Sequence, residues 1–152
     1  MVWAGVGQSD TLVNPCHLLM IAGAIANGGE GVAPYVVRSM QSPSGVTVYK
    51  AMTRPSGISV PATEAQKLRK LLRSNVTDWY GDSRFPGLEM CGKTGTAELD
   101  GKTSHSWFVG FSQREDFPLA VVVVGENAGF GSGTAMTAAN AVLQSLLKNK
   151  LQ

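Results

Sequence analysis

Lysine, threonine, glycine and threonine follow one another at Lys93-Thr94-Gly95-Thr96, with Gly92 in front and Ala97-Glu98 behind. The surrounding pattern reads as a β-strand. Threonine is at home in a strand and lysine is depleted from one. Glycine inside a strand marks a place where another backbone or a ligand comes close. An ammonium, two hydroxyls and bare backbone on a rigid element suit an anionic ligand lying along that strand. Other chemistry-bearing residues are sparse. Cys16 and Cys91 have neither the number nor the spacing of a disulfide framework and read as small buried apolar residues. His17 and His105 are far apart in the chain, and a zinc site needs three or four ligands, so neither metal nor cofactor is expected. His17 reads as a helix-surface or capping residue.

The elements that must position the lysine stretch can be taken in order. Residues 1–13 are glycine-rich and irregular. Asn14 before Pro15 is a helix start, a side-chain cap followed by proline in the first turn. The helix spans 15–26 and stops at Asn27-Gly28-Gly29; it is apolar on nearly every side, so it is expected to be buried. Glycines and prolines break up 30–62, leaving short extended pieces at Tyr35–Met40 and Val46–Ala51 around a turn at Ser42–Gly45. A second helix, 63–77, begins at Thr63 with Gln66 placed for a capping box. Ala65, Leu68, Leu72 and Val76 share one face; Lys67, Arg69, Lys70 and Arg73 form a basic face read as solvated surface. Trp79–Gly87 reads as a loop.

Three strands follow, at 88–99, 104–112 and 119–124. Asp100-Gly101 joins the first two as a two-residue hairpin turn, and a polar turn at Gln113–Asp116 joins the second to the third. Short connections make the set an antiparallel meander. Val121–Val124 is apolar on both faces and is expected to be covered on both. A glycine-rich loop, 125–133, leads to a last helix over 134–148, with Ala135, Ala139, Val142 and Leu146 on one face and Ala138 and Leu143 beside them. The fold class is α+β, with an antiparallel sheet of three main strands flanked by three helices.

The 152 residues are enough for one domain with a core. Hydrophobic residues at 43% and charged residues at 16% give the balance of a soluble globular chain. A net charge of +2 offers no electrostatic footprint for nucleic acid. No apolar run approaches the roughly 20 residues of a membrane span, and Met1–Gly5 lacks the basic region of a signal peptide.

Two readings compete for the lysine stretch. Gly87-Leu88-Glu89-Met90-Cys91-Gly92-Lys93-Thr94 matches G-x-x-x-x-G-K-[ST] in form. A phosphate-binding loop needs a strand before its first glycine and a helix from its lysine onward. Ser83-Arg84-Phe85-Pro86 is a poor strand, and Asp100-Gly101 leaves no room for a helix. The second reading rests on an ordered set of blocks. Lys93-Thr94-Gly95-Thr96-Ala97-Glu98 resembles the K-T-G-T-A-[EQ] of penicillin-binding proteins and serine β-lactamases, in which K-T-G accompanies S-x-x-K and S-x-N signatures. His105-Ser106-Trp107-Phe108-Val109-Gly110-Phe111 is similar to the aromatic strand that follows it there. Upstream, Gly7-Gln8, Asn14-Pro15 and Ala26-Asn27-Gly28-Gly29 resemble the family's G-Q-G, T-P-x-Q and A-N-G-G blocks, with Ser9, Asn14 and His17 departing from it. The resemblance is strongest to class B penicillin-binding proteins, the monofunctional cell-wall transpeptidases.

The resemblance implies a serine that attacks a D-Ala-D-Ala stem peptide, forming an acyl-enzyme that an amine of a second stem peptide resolves; β-lactams acylate the same serine. It implies Lys93, Thr94, Gly95 and Thr96 as substrate-binding residues. Lys93 supplies positive charge to the substrate carboxylate and to the S-x-N serine. The Thr96 hydroxyl meets the carboxylate, and the Thr96 backbone N–H is one of two oxyanion donors. Gly95 lets the ligand backbone approach. Glu98 reads as a strand-end surface group, His105 as a neighbour of the cleft without acid–base work, and Trp107 and Phe108 as sheet packing. No S-x-N occurs in the 152 residues, and the sole S-x-x-K, Ser145-Leu146-Leu147-Lys148, lies on the terminal helix. Residues 1–152 are therefore expected to be the C-terminal part of a transpeptidase domain, inactive alone. The implied parent works on the outer face of the bacterial cytoplasmic membrane, with stem peptides and β-lactams as partners. The open edge of strand 119–124 is expected to give a homodimer. The alternative is a non-catalytic β-lactam sensor or scaffolding module of the same fold.

Overall fold

Apolar alternation and one tight turn build the centre of the molecule. In the computed structural model, which describes Gly5, Gly7, Gln8 and residues 11–150, a three-stranded antiparallel sheet runs in the order β5 (Met90–Leu99), β6 (Lys102–Ser112), β7 (Ala120–Gly125). Asp100-Gly101 forms the β5–β6 turn, with Leu99 opposite Lys102 and Gly101 at φ 66°. The meander is as expected from the sequence, with strand ends moved by one or two residues. Two small antiparallel pairs precede it: β1 (Glu30–Val32) with β4 (Pro55–Ser59), and β2 (Ser39–Gln41) with β3 (Thr47–Lys50). The second pair is the hairpin expected around Ser42–Gly45, with shorter strands. The first joins segments about 25 residues apart and carries no local sequence signal.

Alternation sends the sheet's side chains to two faces. On one, Met90 and Phe108 pack with Val76, Phe85, Leu88, Phe117 and helix α3 (Thr134–Lys150); the Phe85 and Phe108 rings stack at 5.3 Å between centroids. On the other, Cys91, Val109 and Phe111 meet Ala22 and Ile25 of α1 (Pro15–Ala26) and Leu72 of α2 (Ala62–Ser74). The result is a helix–sheet–helix sandwich, the usual way to bury both faces of a sheet.

Several helix expectations need correction. The Asn14 cap forms as expected, accepting the Cys16 N–H at 2.8 Å. However, α1 buries only its C-terminal half; Leu19 is 38% exposed and Cys16 is exposed. Its C-terminal half is the part that packs against Cys91, Phe111 and Leu72. α2 starts at Ala62 after Pro61, with no side-chain cap, so the Thr63–Gln66 capping box does not form. Its α-helical part ends at Ser74, and a π-helical turn, Asn75–Tyr80, takes over where 63–77 was expected to continue. Trp79 and Tyr80 are thus helical rather than loop. The basic face of α2 is not all solvated: Arg73 grips Asp82 with two hydrogen bonds of 2.6 Å and donates to the Met90 carbonyl at 3.0 Å. On α3 the buried stripe is Ala135, Met136, Ala139, Leu143 and Leu147, while Val142 and Leu146 are exposed. Two apolar stripes overlap on that helix, and the one with more bulky side chains faces the core. No helix among the described residues is long and apolar enough to cross a membrane.

Candidate active site

A strand at the edge of a sheet offers a row of unpaired N–H and C=O groups. β5 is such an edge, and two flanking segments and one of its own side chains supply partners for its outer row. The first is the π-helical turn, which the Arg73 grip on Asp82 and Met90 holds beside β5. From it, the Asn75 amide donates to the Gly92 carbonyl at 3.3 Å. Tyr80 Oη accepts the Thr94 N–H and shares a hydrogen bond with Thr94 Oγ1, both at 3.1 Å. The second is Lys93 itself, whose Nζ curls over the edge to the Thr94 carbonyl at 2.7 Å. The third is Gln8, which donates to the Thr96 carbonyl at 3.4 Å and accepts the Glu98 N–H at 3.1 Å.

One outward group is left over. In an antiparallel strand the N–H and C=O of a residue point to the same side. The Thr96 carbonyl meets Gln8 on the outer side, so the Thr96 N–H also points outward. Between the Gly92 carbonyl and the Glu98 N–H it is the only outward backbone group without a partner among the described residues.

Lys93, Gly95 and Ala97 share a face with their cross-strand neighbours Val109, Trp107 and His105. There, a groove of about 430 Å³ is bounded by the 93–97 stretch, Trp107 and Val109, and across from them by Gln8, Val13 and Leu18. Lys93 is exposed on it. Gly95 has a packing reason as well as a ligand one: a Cβ there would lie 3.1 Å from the Trp107 Cβ. Thr94 and Thr96 point their side chains to the opposite face. The Thr94 hydroxyl is taken by Tyr80, and the Thr96 hydroxyl accepts the Gly131 N–H at 3.2 Å.

The structure brings Lys93, Thr94, Gly95 and Thr96 together on one edge and leaves other candidates apart. His105 is not among the groove-lining residues; its Nδ1 accepts the Asn127 N–H at 3.0 Å. Phe108 is fully buried, whereas Trp107 lines the groove. Glu98 is exposed at the strand end. Ser145 is exposed on α3, with the sheet between it and the groove. The phosphate-loop reading fails on geometry as expected, because Lys93 and Thr94 continue a strand rather than start a helix. Ser9 lies outside the described residues. Sequence reading assigned no role to Asn75, Tyr80 or Gly131, and Gln8 entered only as part of a block. A tyrosine ending an amphipathic helix beside the lysine strand was the one available signal, since a covered phenol needs a partner.

Comparison with known proteins agrees with this geometry. The family model described as the penicillin binding protein transpeptidase domain matches residues 3–148. The chain is 28% identical over 154 residues to the peptidoglycan D,D-transpeptidase PbpA of Mycobacterium tuberculosis, covering 95% of this chain and 31% of that protein. It superposes on penicillin-binding protein A from M. tuberculosis in an imipenem acyl-enzyme complex with TM-score 0.84 and 29% identity, covering 95% of this chain and 33% of that one. The D,D-transpeptidase domain of a peptidoglycan glycosyltransferase from Eggerthella lenta gives TM-score 0.77 and 33% identity over 87% of this chain and 31% of that one. The chain thus spans about a third of the length of these relatives.

Proposed function

The chain belongs to the penicillin-binding protein transpeptidase family, and from that premise we propose that it is the C-terminal part of a D,D-transpeptidase domain that cross-links peptidoglycan. In this reading the reacting serine and the S-x-N loop are supplied by sequence upstream of residue 1. The serine Oγ attacks the carbonyl carbon of the penultimate D-alanine. The bond to the terminal D-alanine nitrogen breaks as that nitrogen takes a proton, and an amine of a second stem peptide then displaces the serine.

The observation that carries the proposal is the outward N–H of Thr96, which has no partner among the described residues. Among the described residues every neighbouring outward group on β5 is occupied, so an extended ligand finds the Thr96 N–H, beside the Lys93 ammonium. That donor receives the carbonyl oxygen as it becomes an oxyanion, a role worth about 10²–10³ in rate. Lys93 is exposed and supplies charge for the ligand carboxylate. The Thr96 hydroxyl, which accepts the Gly131 N–H, keeps its own proton for that carboxylate. Cross-linking places the complete protein on the outer face of the cytoplasmic membrane, with stem peptides as substrates and β-lactams as acylating mimics. The edge of β7, which pairs with no strand among the described residues, supports association of the isolated chain with a second copy of itself.

The test is covalent labelling. A fluorescent penicillin is expected to acylate the complete protein encoded by the parent reading frame at a serine upstream of residue 1, and to leave the 152-residue chain unlabelled. A stoichiometric adduct on the 152 residues themselves, or a parent frame lacking both upstream signatures, would refute the proposal; the latter would favour the sensor or scaffolding module.

A further inference from the structure

Behind the lysine strand, on the face away from the groove, the 125–133 loop is clamped to the sheet. Gly131 lies so flat on β5 and β6 that a Cβ there would come within 2.4 Å of the Gly95 carbonyl oxygen and 2.5 Å of that of Trp107. The clamp is a serine. Ser106 is fully buried on β6; its Oγ donates to the Phe130 carbonyl at 2.9 Å and accepts the Ala135 N–H at 3.0 Å. Ala135 lies in the first turn of α3, where helix N–H groups lack intrahelical partners and carry partial positive charge. The Phe130 carbonyl and the Gly131 N–H belong to one peptide unit, and that N–H donates to Thr96 Oγ1 at 3.2 Å.

These bonds run head to tail. Ala135 N–H donates to Ser106, Ser106 donates to the 130–131 peptide, and that peptide donates to Thr96. A threonine hydroxyl has one proton to give and two lone pairs to receive. Gly131 fills a lone pair, and among the described residues Thr96 Oγ1 makes no other hydrogen bond, so its own proton is the free end of the chain. Successive hydrogen bonds in a low-dielectric interior polarise one another. We propose that Ser106, acting through the Phe130–Gly131 peptide, is a positioning residue that commits the Thr96 hydroxyl to act as a donor to an anionic ligand group. This rests on the transpeptidase reading for the identity of that group, the carboxylate of the stem peptide or β-lactam. The sequence gives no hint of it, because Ser106 sits in an aromatic strand and Gly131 is 35 residues from Thr96.

The relay is tested in the complete protein carrying this chain. Acylation rates are compared for a penicillin and for its methyl ester, which lacks the anion. Replacing Thr96 by Val removes a hydrogen bond to a charged group, and the carboxylate ligand is expected to slow about 10–100-fold relative to the ester. Ser106→Ala is expected to lower the same carboxylate-to-ester ratio several-fold, and Ser106→Thr, which keeps a hydroxyl, to recover most of it. In the Thr96→Val background Ser106→Ala should leave the ratio unchanged, because the relay then has no terminus. A Ser106→Ala effect equal for both ligands, or multiplicative with Thr96→Val, would overturn the relay while leaving the transpeptidase reading in place. A wild-type protein that no β-lactam acylates would overturn both. If the Ser106 variants fail to fold, hydrogen exchange of the wild-type Gly131 amide decides: slow exchange, slower still in the carboxylate complex, supports the relay, and exchange at the rate of an exposed loop contradicts it.

Discussion

At the scale of single residues, the candidate site is a matter of which polar atoms are already spent. Tyr80, Lys93 and Gln8 satisfy the outer row of β5 around Thr96, whose N–H has no partner among the described residues. The Lys93–Thr96 stretch was legible in the sequence because a lysine and a glycine, both unusual in a strand, alternate with two threonines that are at home there. Its partners were not, because Tyr80, Gly131 and Gln8 lie 14, 35 and 88 residues away from the threonines they bond. Periodicity carries no record of such pairings. The two cysteines show the same limit: both read as buried, yet only Cys91 is. Burial pushes the Cys91 thiol up to about 11, and its Sγ donates to the Arg69 carbonyl at 3.4 Å. Thiolate is the reacting form. One equivalent of iodoacetamide is therefore expected to label the native chain at pH 8, on Cys16, and two after denaturation; native labelling of Cys91, read by peptide mass, would show that this core is not as described.

At the scale of elements, strands and helices were legible where a local rule sets them and illegible where packing does. Asp100-Gly101 dictates the β5–β6 hairpin, and Asn14-Pro15 dictates the start of α1. The π-helical turn that ends α2 has no such rule; it brings Asn75 and Tyr80 to β5 and is held by Arg73 on Asp82. A matching clip closes the β6–β7 turn. Arg114 donates to both Asp116 oxygens, at 2.9 and 2.7 Å, and to the Gly87 carbonyl at 2.7 Å. The hydrogen bond from Arg114, with its charge, holds the Asp116 carboxyl down at about 2. A free aspartate titrates near 3.9. The folded value is the lower one, so the contribution of this pair is complete above about pH 4 and is lost as pH falls through about 2. The pair is solvent-exposed, so the effect is small. In thermal unfolding from pH 5 to 2, Asp116→Asn is expected to flatten the acid limb and leave the melting temperature nearly level above pH 5. A variant with an unchanged acid limb would show that the clip contributes nothing.

At the scale of the whole molecule, the sheet has two edges with different fates. Among the described residues the β5 edge is closed by side chains from Gly92 to Glu98 except at the Thr96 N–H. The β7 edge pairs with no strand among the described residues, although α1 and α3 flank its faces. An apolar strand left open is a template for another chain. The 152-residue chain is expected to self-associate through Ala120–Gly125 in a concentration-dependent way. The β5–β6–β7 alternation turns the Val122 N–H away from β6. Proline there removes an outward donor without breaking the β6 ladder. Val122→Pro should convert the associated form to monomer in light scattering while far-ultraviolet circular dichroism is retained. A wild-type chain that stays monomeric at high concentration would contradict this. The α+β class, the meander and its three flanking helices were all legible in the sequence, whereas the β1–β4 pairing was not, since neither short strand has a turn to announce it.

In the proposed function this chain presents one wall of an acyl-transfer site, with the Thr96 N–H as an oxyanion donor. A backbone N–H is tested by removing it alone. Replacing Thr96 by the corresponding α-hydroxy acid in the complete protein turns the 95–96 amide into an ester, keeping the side chain and deleting the proton. Acylation by penicillin is then expected to slow about 10²–10³-fold, the usual cost of one oxyanion donor. An acylation rate unchanged by that single-atom replacement would contradict it.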